Sequence, residues 1–294
     1  MENFQIISDG ACDLLPSYTE KHKLTIVPFY VSFDKKQYFK EGIELDHDEF
    51  YRKMDEEHAV PCSSLPSITD FYDAFLPLAQ QNIPIICICI TSKFSGSYNS
   101  ACNARDQILE EYPNARLHVI DSTLNTVTLG LYVNEAVRMR DDGLSYEKAI
   151  EVLESLKQTG RIYFTVSTLE YLIKNGRIGK VAVIAGDKLG IKPIIIMKDG
   201  EISLGGVTRS RAKTKKKIIE QVQKYFEDQK LSISDYSITV GTGYDYEEAK
   251  AFGQELETAL NTHLADVDTL IGTTVGCHVG PHPIGIGFVR KYDA

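Results

Sequence analysis

The serine-rich stretch 91–100, TSKFSGSYNS, is the segment whose residue types most clearly suggest a binding site. It lies between an apolar run and a helical pattern. In an open α/β sheet such a junction lies at the carboxyl edge of the strands, where ligands bind. The free N–H groups and the positive end of a helix favour an anion there, and Ser95 and Ser97 add hydroxyl donors. The segment predicts a carboxylate or phosphate site or, with equal weight, only a capped helix start.

A second hydroxyl-rich loop covers residues 61–67, PCSSLPS. Its prolines stiffen the loop, and Pro66 favours an extended backbone at Leu65. A stiff loop could hold the hydroxyl of Ser63 or Ser64 against a ligand. The alternative is a helix entry at which Ser67 serves as the N-cap.

Glycine and histidine are concentrated in residues 272–287. Glycines permit a close approach of the backbone, and His278 could donate to an anion or orient a serine. The alternative is that His278 is a structural residue with its hydrogen bonds satisfied. His282 stands between two prolines, which is typical of a loop residue.

The run 209–217 carries six basic residues in nine positions, beginning with Arg209. It is typical of a solvated helix face, although it could dock an acidic or phosphate-bearing partner. Sequence signatures of α/β-hydrolases, dinucleotide-binding proteins, P-loop NTPases and zinc proteases are absent from the sequence. The six cysteines show no zinc-binding spacing, so we predict no metal site.

Composition places these residues in an ordinary globular chain. The 294 residues are 43% hydrophobic and 25% charged, which suits about two domains. A net charge of −9 disfavours general nucleic-acid binding. The longest apolar run, 83–90, is far short of the ~20 residues of a membrane span. The N-terminus lacks the pattern of a secretory signal, and reduced cysteines are expected in a cytoplasmic protein.

The predicted secondary-structure pattern that must position these residues differs between the two halves of the chain. In the first half, predicted strands at 4–7, 25–33, 83–90 and 116–120 alternate with helices, the pattern of a doubly wound parallel sheet. The second half predicts a hairpin, 191–197 and 201–207, around Asp199-Gly200. A helix at 210–229, strands at 237–240, 268–271 and 284–289, and a helix at 246–260 complete an α+β pattern. We therefore predict an α/β domain at 1–159 and an α+β domain at 160–294, packed closely because no linker separates them.

Several short motifs, in order along nearly the whole chain, resemble those of the DegV family of bacterial fatty-acid-binding proteins. They are Ser8-Asp9-x-x-Cys12-Asp13-Leu14, Ser63-Ser64-x-Pro66-Ser67, Phe94-Ser95-Gly96-Ser97-Tyr98, Asp121-Ser122, Gly176-Arg177-Ile178, Lys192-Pro193-Ile194, Arg209 and Gly276-x-His278-x-Gly280-Pro281. The resemblance implies a two-domain fold with a long-chain fatty acid, such as palmitate, stearate or oleate, in a tunnel between the domains.

The resemblance also implies roles for individual residues. The carboxylate would lie on the hydroxyls of Ser63 and Ser95, with His278 in its hydrogen-bond network. Supporting positions in the two loops would be Ser64, Gly96 and Ser97. The protein would be a carrier without catalytic residues or a cofactor other than its fatty acid. A separate ATP-dependent fatty acid kinase would convert the acid to an acyl phosphate for lipid synthesis, docking near Arg177 and Arg209.

Two positions depart from the family pattern. Ser63 stands where the family commonly has threonine, a change that keeps the hydroxyl. His282-Pro283 stands where Gly-Ala is usual, which stiffens the loop after His278. Two other functions remain open from the residues alone. One is an acyl-ester or thioester hydrolase with Ser95 as nucleophile and His278 as base, and the other is an interaction module built on residues 209–217.

Overall fold

In the computed structural model, which describes residues 4–184 and 190–294, the strands form three sheets linked by helices. The strands are β1 (Gln5–Asp9), β2 (Thr25–Val27), β3 (Tyr30–Ser32), β4 (Phe39–Lys40), β5 (Cys62–Ser64), β6 (Ile85–Cys89), β7 (Leu117–Asp121), β8 (Arg161–Thr165), β9 (Lys192–Lys198), β10 (Glu201–Thr208), β11 (Tyr236–Thr242) and β12 (Ile284–Arg290). The α-helices are α1 (Pro16–Lys21), α2 (His47–Glu56), α3 (Ile68–Gln80), α4 (Ser97–Glu111), α5 (Thr126–Asp141), α6 (Tyr146–Leu156), α7 (Glu170–Lys174), α8 (Arg211–Gln229), α9 (Tyr246–Leu260) and α10 (Thr273–Val279).

The first sheet is parallel, with the order β2-β1-β6-β7. Alternate residues of its strands pack in opposite directions: Ile6 and Ile88 lie in the cluster that contains α5, whereas Ile7 and Cys87 pack with α3 and α4. Burial on both faces explains the continuous apolar run at 83–90. The predicted doubly wound α/β arrangement is confirmed.

The second sheet is antiparallel, with the order β10-β9-β8-β12-β11. Helices α8 and α9 cover one face through residues such as Phe226 and Leu256. Ile162 and Met197 belong to the same apolar cluster as Leu129 of α5. Helix α5 therefore lies between the two sheets, which explains why residues nearly all around it are buried.

The third sheet is small, with the order β4-β3-β5, and packs with α2 against α10. The Tyr51 hydroxyl of α2 donates to the carbonyl of Ile271, at 2.8 Å, just before α10 begins. The strand predicted at 25–33 is wrong as a single element, because β2 and β3 belong to different sheets. The break falls at Pro28, which has no N–H to donate to a ladder.

Other differences concern short elements. The strand predicted at 268–271 is reduced to one isolated bridge, between Leu14 and Thr269. The sequence does not predict strand β8 or helix α10, and α10 lies in a glycine-rich stretch. Within the described ranges, no helix combines the length and the apolar character needed to cross a bilayer.

Candidate functional site

An apolar cavity of about 230 Å³ lies where the antiparallel sheet, α5, α10 and the loops after β5 and β6 meet. Its apolar wall includes Phe29, Leu65, Ile90, Phe94, Val127, Ile162, Phe164, Leu172, Met197, Ile202, Ile271, Val275, Val279, Pro283 and Ile284. Its polar lining includes Ser63, Ser64, Ser95, Asn125, Thr126, Arg177, Thr274 and His278. A cavity with this lining suits a long apolar molecule with one polar end.

Helix α10 presents one face to the cavity. Residues 274, 275, 278 and 279 line it, together with Ile271 just before the helix. This spacing of three and four residues is that of a single helical face. The glycine-rich stretch therefore forms a regular helix. Its helical spacing puts His278 on the face that lies beside Ser63 of β5.

The structure brings Ser63 and His278 together. Ser63 is the central residue of β5, paired with Val31, and its Oγ lies 3.0 Å from Nε2 of His278. Burial and, to a smaller extent, the positive charge of Arg177 lower the pKa of His278 to about 4. The imidazole is therefore neutral near pH 7. Its Nδ1 is buried and has no hydrogen-bond partner among the described residues.

Ser95 and Ser97 have different positions in their loop. Ser95 lines the cavity, and its Oγ accepts a hydrogen bond from the backbone N–H of Ser97, at 3.2 Å. The Ser97 hydroxyl is fully buried and donates to Asp9 Oδ2, at 2.6 Å. The same carboxyl oxygen accepts from the N–H of Ile90, at 3.0 Å. Ser97 and Asp9 therefore fix the turn that presents Ser95.

Asp9 belongs to the Ser8-Asp9-x-x-Cys12-Asp13-Leu14 motif, which does not by itself indicate that Asp9 supports this loop. Burial raises its pKa to about 7, against the hydrogen bond from Ser97, which lowers it. Gly96 allows the two hydroxyl-rich segments to approach closely, because a Cβ at this position would lie only 3.3 Å from Cδ2 of Leu65. Ser64 lines the cavity beside Ser63.

Arg177 lies at the cavity mouth. Its Nε donates to the carbonyl of Phe94, at 3.1 Å, and one terminal nitrogen donates to the carbonyl of Asn175, at 2.7 Å. It also lines an adjoining surface recess with Lys93, Lys180 and Glu201. In that recess Glu201 pairs with Lys93 at 3.2 Å and with Lys180 at 2.6 Å. The mouth is therefore polar, in contrast to the mainly apolar wall of the cavity.

Arg209 is not among the described residues that line the cavity or the recess at its mouth. It is exposed, follows β10 and precedes α8. The other basic residues of the 209–217 run lie on α8, and two of them pair with Glu248: Arg211 at 2.6 Å and Lys215 at 3.0 Å.

Two buried carboxyl groups behind the cavity were missed as site residues. Thr126 and Thr274 line the cavity, and their hydroxyls donate to Asp13 and Glu41 respectively. Burial raises the pKa of both carboxyl groups. No local pattern marks Glu41, which lies more than two hundred residues from Thr274. Among residues 4–184 and 190–294, no group of three or more His, Cys, Asp or Glu is arranged to hold a metal ion.

The fold and the cavity define a mixed α/β protein with an internal apolar site between a parallel and an antiparallel sheet. Residues 3–291 match the model of a family described as "Uncharacterised protein, DegV family". The chain therefore belongs to the DegV family. A DegV domain-containing protein from Clostridium acetobutylicum is 32% identical over 289 residues, covering 98% of each chain.

Solved structures show the same fold. A fatty acid (stearic acid)-binding protein from Eubacterium ventriosum is 46% identical, with a TM-score of 0.94 and 99% of each chain covered. The fatty acid kinase (Fak) B3 protein of Streptococcus pneumoniae, loaded with linoleic acid, is 22% identical. Its TM-score is 0.82, with 98% of this chain and 99% of that chain covered.

Proposed function

We propose that this protein binds one long-chain fatty acid, such as palmitate, stearate or oleate, in the cavity. The observation that carries the proposal is the distribution of polarity: the hydroxyls of Ser63 and Ser95, the His278 imidazole and the Arg177 guanidinium line a cavity whose remaining wall is mainly apolar. A stearic acid-binding protein of the same fold, 46% identical over nearly the whole chain, supports it.

The polar end suits a carboxylate. With its proton on Nε2, neutral His278 donates to Ser63 Oγ across 3.0 Å, so that the Ser63 hydroxyl hydrogen is free for the ligand. Ser95 Oγ, which already accepts from Ser97, supplies a second hydroxyl hydrogen. A carboxylate that accepts several hydrogen bonds stays ionised, and Arg177 adds a positive charge nearby. We assign the carboxylate to Ser63 and Ser95 on this basis.

The apolar wall would provide most of the affinity. Each buried methylene contributes about 0.8 kcal/mol, so about fourteen methylenes contribute on the order of 11 kcal/mol before the costs of association. The hydrogen bonds at the mouth would contribute less and would set the orientation of the ligand. The expected form of the protein is therefore a carrier with its ligand enclosed.

A carrier whose head group lies at a polar mouth can present that group to a second protein. We propose that a separate ATP-dependent fatty acid kinase phosphorylates the bound acid for use in cytoplasmic lipid synthesis. The structural likeness to the Fak B3 protein supports this step. Arg177 lies at the mouth, and we assign it and the exposed Arg209 to kinase docking. Arg209→Ala, which leaves the cavity intact, should retain fatty acid but slow acyl-phosphate formation with the kinase.

The hydrolase alternative is supported less well. His278 lies beside Ser63 rather than the Ser95 that this mechanism requires as nucleophile. A pKa of about 4 makes His278 a weak base near pH 7. No orienting partner for its Nδ1 is present among the described residues. Hydrolysis of a p-nitrophenyl acyl ester that disappears in Ser95→Ala would restore this alternative.

The test is mass spectrometry of the protein purified from a bacterial host, native and then after solvent extraction. We expect a mass excess that is recovered as one free fatty acid. Ser95→Ala and Ser63→Ala should each weaken retention about tenfold to a hundredfold, because a hydrogen bond to a charged group contributes about 1.5–3 kcal/mol.

Ser17→Ala is the matched control, since Ser17 is exposed on α1 and does not line the cavity. It should retain fatty acid as the wild type does. If delipidated wild type shows no saturable binding of palmitate or oleate, the proposed function is wrong.

A further inference from the structure

The cavity crosses the whole width of the antiparallel sheet. Every strand contributes to its wall, in the order Ile202 (β10), Met197 (β9), Ile162 and Phe164 (β8), Ile284 and Gly285 (β12), and Gly241 (β11). Neighbouring strands lie about 4.8 Å apart, so four steps span about 19 Å. A zigzag chain of some sixteen carbon atoms, joined by bonds of about 1.5 Å, has a similar extended length.

The two ends of this path differ. Ile202 shares the outer recess with Ser95 and Arg177, so the β10 end is the mouth. At the β11 end the N–H of Ile271 donates to the carbonyl of Thr242, at 2.9 Å. The cavity wall there consists of Gly241, Gly285, Val127 and Ile271. An acyl chain with its carboxylate at the mouth would therefore end against these residues.

Gly241 and Gly285 face each other across β11 and β12. Gly285 has no room for a side chain, because a Cβ there would lie 2.7 Å from the carbonyl oxygen of Tyr163. Gly241 is different. Its Cβ would lie 3.1 Å from Val127 Cγ2 and 3.5 Å from Ile271 Cδ1, both on the cavity wall. Its φ is outside the left-handed region, so the backbone accepts other residues. A Cβ at position 241 would be too close to Val127 for an ordinary contact, so a side chain there would displace Val127 towards the far end of the cavity.

We propose that Gly241 determines acyl-chain length: because it has no side chain, Val127 and Ile271 can pack against β11 and leave room for the methyl end of the fatty acid. This inference rests on the proposed function and adds which acyl-chain length the cavity accepts. A side chain at position 241 would push Val127 and Ile271 into the cavity and shorten the chain that fits, and enlarging the same end would lengthen it.

The experiment offers delipidated protein an equimolar mixture of saturated fatty acids, from lauric to stearic acid, and measures the bound species by native mass spectrometry. Gly241→Ala and Gly241→Val should shift the bound population towards shorter chains. The expected loss is about fourfold for each methylene that no longer fits, equivalent to about 0.8 kcal/mol. Val127→Ile fills the same end from α5 and should shift selectivity in the same direction.

Ile271→Ala should shift the population towards longer chains, a result that general destabilisation does not produce. Gly253→Ala is the control, because Gly253 lies in α9 away from the cavity, and its profile should match that of the wild type. An unchanged chain-length distribution in Gly241→Ala and Val127→Ile, at normal occupancy, would overturn the assignment of Gly241. If the wild type binds no fatty acid at all, the proposed function itself fails.

Discussion

At the scale of single residues, the protonation of His278 links the cavity to stability. In the folded chain its pKa is about 4, whereas an unfolded histidine titrates near 6.5. Between these values the unfolded chain binds a proton that the folded chain does not, so stability falls as the pH falls from about 6.5 to about 4.

His278→Gln removes this titration and keeps an amide nitrogen near the position of Nε2. The apo variant should therefore lose less unfolding free energy than apo wild type over the same interval, by up to about 3 kcal/mol. Urea denaturation at a series of pH values measures the difference. Parallel curves for the two proteins would contradict the burial of a neutral His278.

At the scale of elements, the Ser67 N-cap that the sequence offers as an alternative is present at the start of α3. Ser67 Oγ accepts from the N–H of Asp70, at 3.1 Å, and the Asp70 carboxylate accepts from the N–H of Ser67, at 2.7 Å, which completes a capping box. Ser67→Ala should lower the unfolding free energy by about 1 kcal/mol. Chemical denaturation tests this, with the exposed Ser17→Ala as the control; equal stability of the two variants would show that the cap contributes nothing.

His282 joins separate elements. Its Nε2 lies 2.9 Å from Asp55 of α2, and its Nδ1 lies 3.1 Å from both carboxylate oxygens of Asp245, which precedes α9. Arg211 of α8 donates to its carbonyl oxygen, at 2.9 Å, and also pairs with Glu248. Hydrogen bonds to Asp245 and Asp55 raise the pKa of His282. The His282-Pro283 loop is thus fixed by hydrogen bonds between His282 and the charged side chains of Asp55, Asp245 and Arg211.

The contribution of His282 should depend on pH with a definite sign. Because its pKa is raised in the folded chain, the stabilisation is complete below about 6.5 and is lost as the pH rises through the folded value. His282→Asn should therefore be less stable than wild type at pH 6 and closer to it at pH 9. Thermal melts of both proteins at the two pH values measure this; a constant difference would contradict the ionic role.

At the scale of the whole molecule, α5 packs against both the parallel and the antiparallel sheet. We propose the division into domains at 1–159 and 160–294, since β8 of the antiparallel sheet begins at Arg161. The cluster around α5 nevertheless contains residues from both sides of that boundary. Separated fragments would expose this apolar surface. Expressed alone, each should lack the dispersed side-chain resonances of the intact protein in NMR spectra, and well-folded fragments would contradict the shared core.

Much of this architecture follows from local patterns. The continuous apolar run at 83–90, the Asp199-Gly200 turn and the caps at Asp46, Ser67 and Ser210 each satisfy hydrogen-bonding or burial needs within a few residues. The serine loop before α4 could be identified for the same reason, because it follows the buried strand β6, whereas Ser63 and Ser64 belong to strand β5 itself. The sequence by itself thus determined the sequential order of most elements, the parallel sheet and the candidate loops.

Tertiary structure alone decided which of these residues meet. Ser63 and His278 are 215 residues apart, and the pairing of Gly241 with Gly285 follows from strand order rather than from either local pattern. The role of Asp9 in holding Ser97 likewise depends on β1 lying beside β6. Local periodicity reports whether a residue is buried, but it carries no information about its distant partner. The geometry of the cavity, its polar mouth and its closed end therefore arise only when the sheets pack around α5.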